Sequence, residues 1–440
     1  SRGSRAGGRY RDWRLMKNKK DEARESPPKY QAASSKGKVP RLRFPEFREN
    51  GEWTIYDLSS IAEVIGERTQ NRNIPAMSIE SGVGLVLQTE KFGKEIAGEQ
   101  YRNYTVIRRF DFAYNKSSTK QYPQGFIAML EGHDEAAVPP SVFSCFRITQ
   151  DWITPEILKQ LFQINYHGKF LRKYIAIGAR AHGSLAIDDH DVLKIPFMLP
   201  SNEEQRKIAT CLSSLDSLLA ARAKKLEALK DYKKGLMQKL FPAEGETVPR
   251  LRFPEFRKTG KWEEKEIGEV FEVTRGYVLP MTEVNDSFST EAPYPVYSSQ
   301  TVNNGLAGYY SEYLYENAIT WTTDGANAGD VNYRSGKFYC TNVCGVLINT
   351  DGYANTCVAE QINSVSKAHV SYVGNPKLMN GVMSKIRIPF SSIPEQQKIA
   401  ATLSSLDSLI AAEARKIEEL KEHKRGLMQG LFPSPEEDGE

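Results

Sequence analysis

Two stretches of this chain are each written twice, and any fold has to accommodate both copies. The decapeptide VPRLRFPEFR stands at residues 39–48 and again at 248–257, identical in all ten positions. A longer stretch, residues 204–242, recurs at 395–433 with 27 identities in 39 positions, among them LSSLDSL, the pair KKGLMQ and KRGLMQ, and LFP. The offsets are 209 and 191 residues, which leaves an insert of 155 residues (49–203) in the first half and 137 (258–394) in the second. The inserts resemble each other only at an edge, in Gly51-Glu52-Trp53 and Gly260-Lys261-Trp262. Repetition of this kind describes two equal frames, each holding a different insert.

The longer repeat reads as a helix. Ile208, Leu212, Leu215, Leu219, Arg222, Leu226, Leu229, Lys233, Leu236 and Leu240 follow one another at spacings of four and three, and the second copy gives Ile399, Leu403, Leu406, Ile410, Glu413, Ile417, Leu420, Lys424, Leu427 and Leu431. That is the seam of a coiled coil. Ser201-x-x-Glu204 and Ser392-x-x-Glu395 fit a capping box, Pro394 falls in a first turn where its missing N–H costs little, and Phe241-Pro242 and Phe432-Pro433 end the pattern. Gly235 and Gly426 inside it are expected to loosen the last turn. At 1.5 Å per residue each copy makes a rod of roughly 58 Å. A lone helix cannot leave such a seam in water, and the obvious partner is the other copy. An antiparallel pairing brings Arg222 to Glu413; the alternative is that Arg222, Lys233 and Lys424 carry their charges out into solvent.

At 440 residues the chain has room for two or three cores. It holds no run of about 18 apolar residues, which argues against a membrane-spanning helix or a secretory signal. Its five cysteines, Cys145, Cys211, Cys340, Cys344 and Cys357, are too sparse for a disulfide framework and point to a reducing compartment, by default the cytoplasm. Residues 1–48 carry 15 Lys/Arg against 5 Asp/Glu, so the net charge of +4 conceals a body of −6. Net charge therefore gives no argument for a nucleic-acid partner. Residues 1–38 are expected to be a disordered basic leader, vector-derived ahead of Met16, and residues 434–440 an acidic tail.

The inserts read as mixed α/β domains. Strand-like runs fall at 83–88, 104–109, 126–130 and 142–148 in the first, with a helix near 155–166 and a closing apolar run at 195–199. In the second they fall at 294–298, 318–322 and 343–348, among turn signals Asn304-Gly305, Asp324-Gly325 and Asp351-Gly352. The expected organisation is a leader (1–38), a first insert domain (39–203), a helical spacer (204–242), a second insert domain (243–394), a second spacer (395–433) and the tail (434–440). The fold class is α+β, with the two spacers paired antiparallel and a pseudo-two-fold relation between the halves.

Catalytic signatures are missing. The sequence contains no G-x-x-x-x-G-K-[ST] loop, no G-x-G-x-x-G, no H-E-x-x-H, no G-x-S-x-G and no Asn/Asp-Pro-Pro-Tyr tetrad of the amino-methyltransferase type. Cys340-x-x-x-Cys344 with Cys357 lacks a nearby fourth ligand and reads as buried structural thiols rather than a metal site.

Two unlike inserts, each followed by a near-identical long helix that opens on Gln-Lys-Ile-Ala or its like and closes on Gly-Leu-Met-Gln-x-Leu-Phe-Pro, resemble the DNA-specificity subunit of type I restriction-modification systems over residues 39–433. Asp111-Phe112-Ala113-Tyr114-Asn115-Lys116, the Gly183-Ser184 turn and Tyr294-Pro295-Val296-Tyr297-Ser298-Ser299-Gln300 add weaker local likeness. The resemblance implies that the inserts are target-recognition domains, each reading half of a bipartite site in double-stranded DNA. It implies that the helices set the spacer and dock two methyltransferase subunits, and that restriction/translocase subunits join them. The chain is then non-catalytic and binds no cofactor; S-adenosylmethionine belongs to the methyltransferase, ATP and Mg to the restriction subunit. Base edges are read by Arg, Asn, Gln, Ser/Thr and Lys on polar loops. The candidates are Arg68, Asn71, Arg72, Ser78, Asn115, Lys116, Ser117, Arg180 and His182 in the first insert, and Tyr297, Ser298, Gln300, Asn303, Asn304, Thr322, Thr323, Asn327 and Arg334 in the second. Two rivals stand beside this reading: a coiled-coil scaffold whose inserts bind proteins, and a self-sufficient methyltransferase or nuclease, which the missing motifs disfavour.

Overall fold

The computed structural model describes residues 38–172, 175, 185, 187–299 and 303–433. The basic leader up to residue 37, the acidic tail, Gly183-Ser184, and the candidates Arg180, His182 and Gln300 lie outside the described residues. The chain divides into two units: residues up to 214 together with those from 424 onward, and residues 215–423. The long helices, Asn202–Leu240 and Ile393–Leu431, therefore each contribute to both.

In the first unit an antiparallel sheet runs in the order Ala62–Val64, Phe143–Ile148, Phe112–Asn115, Phe126–Met129. Its core is aromatic: Phe112 stacks on Phe146 at 5.2 Å, and Phe162, from the helix Pro155–Gln163, meets both edge-on. That helix stops short of the expected residue 166 because Asn165 turns left-handed (φ 58°), and a second helix, Tyr166–Leu171, begins there.

The second unit is built on a different sheet, of six strands in the order Glu272–Arg275, Cys344–Ile348, Tyr315–Thr322, Val331–Cys340, Tyr294–Tyr297, Leu306–Tyr310. Tyr294–Tyr297 runs parallel to Val331–Cys340; the other neighbours are antiparallel. Trp321 is buried against Gly345, where a Cβ would fall 2.1 Å from the indole, so only glycine lets these two strands close. The helix Thr356–Ser366 covers the sheet, its first turn capped by the Asn355 carboxamide, which accepts from the Val358 N–H at 3.1 Å.

What the units share is the frame. The strand that opens each insert pairs antiparallel with the strand that closes it: Thr54–Asp57 with Pro196–Leu199, and Glu263–Glu266 with Arg387–Phe390. The repeated decapeptide explains itself in contacts. Arg43 makes a two-pronged ion pair with Glu204 (2.8 and 2.7 Å) at the start of the first long helix, and its Leu42 N–H donates to Gly430 O (2.7 Å) at the end of the second. In the other unit Arg252 holds Glu395 (2.6 and 2.7 Å) and the Leu251 N–H donates to Lys239 O (2.8 Å). Each decapeptide thus clamps the start of one long helix and the end of the other. Trp53 and Trp262 fill equivalent places: Ile208, Leu212, Met428, Leu431 and Phe432 are buried with Trp53, and Leu240, Phe241, Ile399 and Leu403 with Trp262.

The helices begin and end two residues earlier than the repeat boundaries, since Ser201 and Ser392 stand at the cap and Pro242 and Pro433 forbid a helical residue before them. The Glu204 N–H approaches Ser201 Oγ at 3.4 Å, but the reciprocal half of the expected capping box is absent, because both glutamates are taken by the arginine clamps. Within the second unit the helices pair antiparallel. Arg222 meets Glu413 at 2.8 Å, Lys225 joins the same carboxylate at 3.0 Å, and Lys233 reaches Asp407 (2.7 Å) and Glu360 (2.6 Å). Arg222 and Lys233 therefore turn to carboxylates. Burial by itself lowers the Lys233 pKa, but these two carboxylates more than offset it and hold the ammonium above its ordinary value. Leu215, Leu219, Leu226, Leu229, Leu236, Leu406, Ile410 and Leu420 are half-buried and Ile417 buried, as two helices without a third layer require.

Candidate functional site

The first insert places its candidates in two groups. Arg68 and Asn71 are exposed, with an Arg68 guanidinium N–H donating to Thr105 Oγ1. Arg72 shares the carboxylates of Glu67 (2.7 Å) and Glu135 (3.7 Å) with Arg108, a residue the sequence did not single out. The second group surrounds the end of the strand Phe112–Asn115. Asn115 is buried and its Oδ1 accepts from the Ser117 N–H (3.0 Å), Ser117 is half-buried, and Lys116 pairs with Asp189 at 3.0 Å. Asp189 also accepts from Ser144; burial raises its pKa, but Ser144 and Lys116 outweigh that and leave it below the ordinary value. Ser78 belongs to neither group: it is buried and its hydroxyl faces Lys91 Nζ at 3.4 Å, so it is removed from the set.

The second insert brings its candidates together. Ser298, Asn304, Thr322 and Arg334 line one polar pocket of about 230 Å³, with Thr320, Asp330, Asn332 and Asn363. The register explains the convergence: Thr320 faces Asn332 across paired strands, and Thr322 and Arg334 lie two residues along from them on the same face. Arg334 is 8% exposed. Its guanidinium lies 3.7 Å from the Tyr297 ring centre, its Nε donates to Thr320 Oγ1 (3.0 Å) and its Nη2 to Asn304 O (2.7 Å). Desolvation lowers its pKa, and among the described residues no carboxylate stands within ion-pair distance. Asn303 and Asn304 are exposed, Asn304 at the pocket wall and Asn303 next to it in the chain, and Asn327 Nδ2 donates to Ser299 O at 3.2 Å. Thr323 is fully buried and its hydroxyl is spent on Asp324 and Val343 O, which removes it from the set.

Sequence reasoning passed over Thr320 and Asn332, although alternating polar residues on two adjacent strands were the available signal, and Asn363, which the helix Thr356–Ser366 brings to the pocket. It also passed over Tyr372 and Val373, 69% and 93% exposed. They sit on a loop whose ends bridge at Ser371 and Lys377 and whose Pro376 carbonyl accepts from the Gly325 N–H at 3.0 Å. Cys340, Cys344 and Cys357 are buried, and burial pushes the Cys344 thiol up to about 11 and the other two further. Among the described residues no group of three or more His, Cys, Asp or Glu side chains is placed to hold a metal, and no helix is long and apolar enough to cross a membrane.

Two duplicated helix clamps around two unlike mixed domains define a class of modular proteins in which one repeated frame holds two different inserts. Residues 259–422 match the profile of the type I restriction modification DNA specificity domain. A type I specificity-subunit N-terminal protein of Mycoplasma pneumoniae is 38% identical over 142 residues, which cover 32% of this chain and 74% of that protein. The MjaX specificity subunit of Methanocaldococcus jannaschii is 26% identical over 410 residues, 87% of this chain and 93% of that one. The crystal structure of a type I S subunit from M. genitalium shares the fold, with a TM-score of 0.60 at 17% identity, covering 90% of this chain and all of the other. The chain belongs to the specificity subunits of type I restriction-modification systems.

Proposed function

We propose that this subunit reads a two-part target in double-stranded DNA, with residues 49–203 reading one half and residues 258–394 the other. The long helices set the separation and offer two equivalent surfaces to two methyltransferase subunits, which restriction/translocase subunits join. The observation that carries this reading is the contrast between frame and insert. The clamps, the ribbons and the tryptophans repeat pair for pair, while the sheets they hold have four strands in one unit and six in the other. Identical partners require identical docking surfaces, and unlike half-sites require unlike readers. In the second insert the reading surface is the rim of the polar pocket with Ser298, Asn303, Asn304 and the loop bearing Tyr372. In the first it is formed by Arg68, Asn71 and Arg72 and by Lys116 and Ser117. Because residues 49–203 carry 16 Lys/Arg against 19 Asp/Glu, either the basic residues are asymmetrically placed or the partners supply much of the phosphate affinity. Methyl transfer, with S-adenosylmethionine, belongs to the methyltransferase, and ATP with Mg to the restriction subunit.

The test is an exchange. Replacing residues 258–394 by the corresponding insert of another specificity subunit and mapping the methylated sites is expected to change one half of the target and leave the other. A change in both halves overturns the modular reading.

A further inference from the structure

Asn303 and Asn304 are consecutive residues in the left-handed region, with φ of 51° and 53°. Side chains other than glycine seldom adopt it, asparagine more readily than most, and two in succession persist only where the surroundings hold them. Two contacts do so. The Ser298 N–H donates to Gly305 O at 2.8 Å, and Arg334 Nη2 donates to Asn304 O at 2.7 Å. Arg334 stands on the ten-residue strand Val331–Cys340, in the body of the sheet, so the turn is fastened to a rigid element.

Arg334 itself is poorly placed to enter a DNA groove. It is recessed, one face of its guanidinium lies against Tyr297, and its Nε is committed to Thr320. We propose that Arg334 is a positioning residue: it fixes the Asn303-Asn304 turn in its base-reading conformation and so sets the sequence preference of the second recognition domain without touching a base. The assignment rests on the reading of residues 258–394 as a DNA reader. It uses what distinguishes arginine from lysine, a planar fork that bonds in two directions while stacking on an aromatic ring. Lysine at this position retains the charge but cannot hold Thr320, Asn304 and Tyr297 at once. A turn released from Arg334 presents Asn303 and Asn304 in several orientations and discriminates less between bases.

The experiment uses full-length wild type, Arg334→Lys and Thr320→Val, each assembled with its methyltransferase subunits once the wild-type target has been mapped. Methylation rates are compared on duplexes carrying single-base changes in one half of the target or the other. Arg334→Lys is expected to lower discrimination at least tenfold, on the order of one well-made base contact, in the half read by residues 258–394. Discrimination in the other half stays within twofold. Thr320→Val, which removes only the Nε acceptor, moves the same half in the same direction by a smaller factor. Unchanged discrimination in Arg334→Lys overturns the proposal, and so does an equal loss in both halves, the signature of a general loss of structure. Should Arg334→Lys fail to fold, Thr320→Val decides alone: a selective loss in the one half supports the assignment and no change overturns it. Failure of the underlying reading is separate, since it would show in an unsubstituted chain as both half-sites changing when the insert is exchanged.

Discussion

His167 is neutral in the folded chain because of where the helix break at Asn165 puts it. It is fully buried between Tyr114 and Phe162, and its Nε2 lies 3.1 Å from Gly125 O, so that nitrogen carries the proton and donates. Burial pushes its pKa down to about 4, a shift the bond to Gly125 only partly opposes. Above about pH 6.5 folded and unfolded chains are both neutral at this residue. As the pH falls from there towards 4, the unfolded chain takes up a proton that the folded one refuses, so stability drops, by about 2–3 kcal/mol in all at 1.36 kcal/mol per pH unit. Calorimetric melting between pH 7 and 4.5 should show this loss, and His167→Gln, which titrates nowhere in that range, should show less of it by that amount. An equal acid loss in the variant refutes the assignment. Nothing in the sequence around Asn165-Tyr166-His167 announced this, because burial of a single histidine depends on which strands close over it. The same limit applied to the candidate readers: Thr323 lies in a polar stretch like that of Asn303, and only the fold shows that its hydroxyl faces inward.

At the scale of elements, the arginine clamps are where packing is most vulnerable. Arg43 and Glu204 have side chains 6% and 1% exposed, Arg252 and Glu395 9% and 1%. Removing one partner of such a pair leaves a buried charge unmatched and costs about 3–5 kcal/mol. Glu204→Ala should therefore destabilise the unit that holds residue 204, and Glu395→Ala the other, each read by hydrogen exchange of amides in the corresponding sheet. If either substitution loosens both sheets equally, the units do not unfold separately. These elements also divide what the sequence could disclose from what it could not. The seam was legible because a period of 3.5 needs no knowledge of the partner, and its apolar residues pointed to the other copy; the contact of Arg222 with Glu413 was one of two alternatives that the sequence left open, and the fold decides for it. The decapeptide was legible as a repeat but not as a clamp, since its arginines find their glutamates 143 to 161 residues away, and for the same reason Glu204 and Glu395 were read as local caps. The strand Val331–Cys340 escaped notice because Asn332, Arg334, Ser335 and Lys337 interrupt its apolar residues. Of these, Asn332 and Arg334 line the pocket, while Ser335 and Lys337 are exposed.

At the scale of the whole molecule the question is whether the paired helices set the distance between the two half-sites. Roughly 58 Å of helix corresponds to about 17 base pairs at 3.4 Å each, and two half-sites of about three to five pairs would leave an unread spacer on the order of 7 to 11. One heptad added to both helices preserves the seam and lengthens the rod by about 10 Å, so the preferred spacer should grow by about three base pairs. Where the heptads go matters. Apart from Arg222 and Glu413, which meet at the centre, positions equivalent by sequence repeat do not face each other in an antiparallel pair, and insertions at two such positions would fall on opposite sides of that contact. The 2.8 Å contact between Arg222 and Glu413 shows which positions do face. Seven residues placed after Arg222 and seven after Ala412 keep the pair opposed and shift the flanking seam by a whole heptad on each side. The lengthened subunit, assembled with its methyltransferase partners, is then used to map methylated sites. A spacer longer by about three pairs with both half-sites unchanged is the expected result. If folding and methylation survive and the spacer does not move, the helices do not set the distance, and the separation must be fixed by the partners.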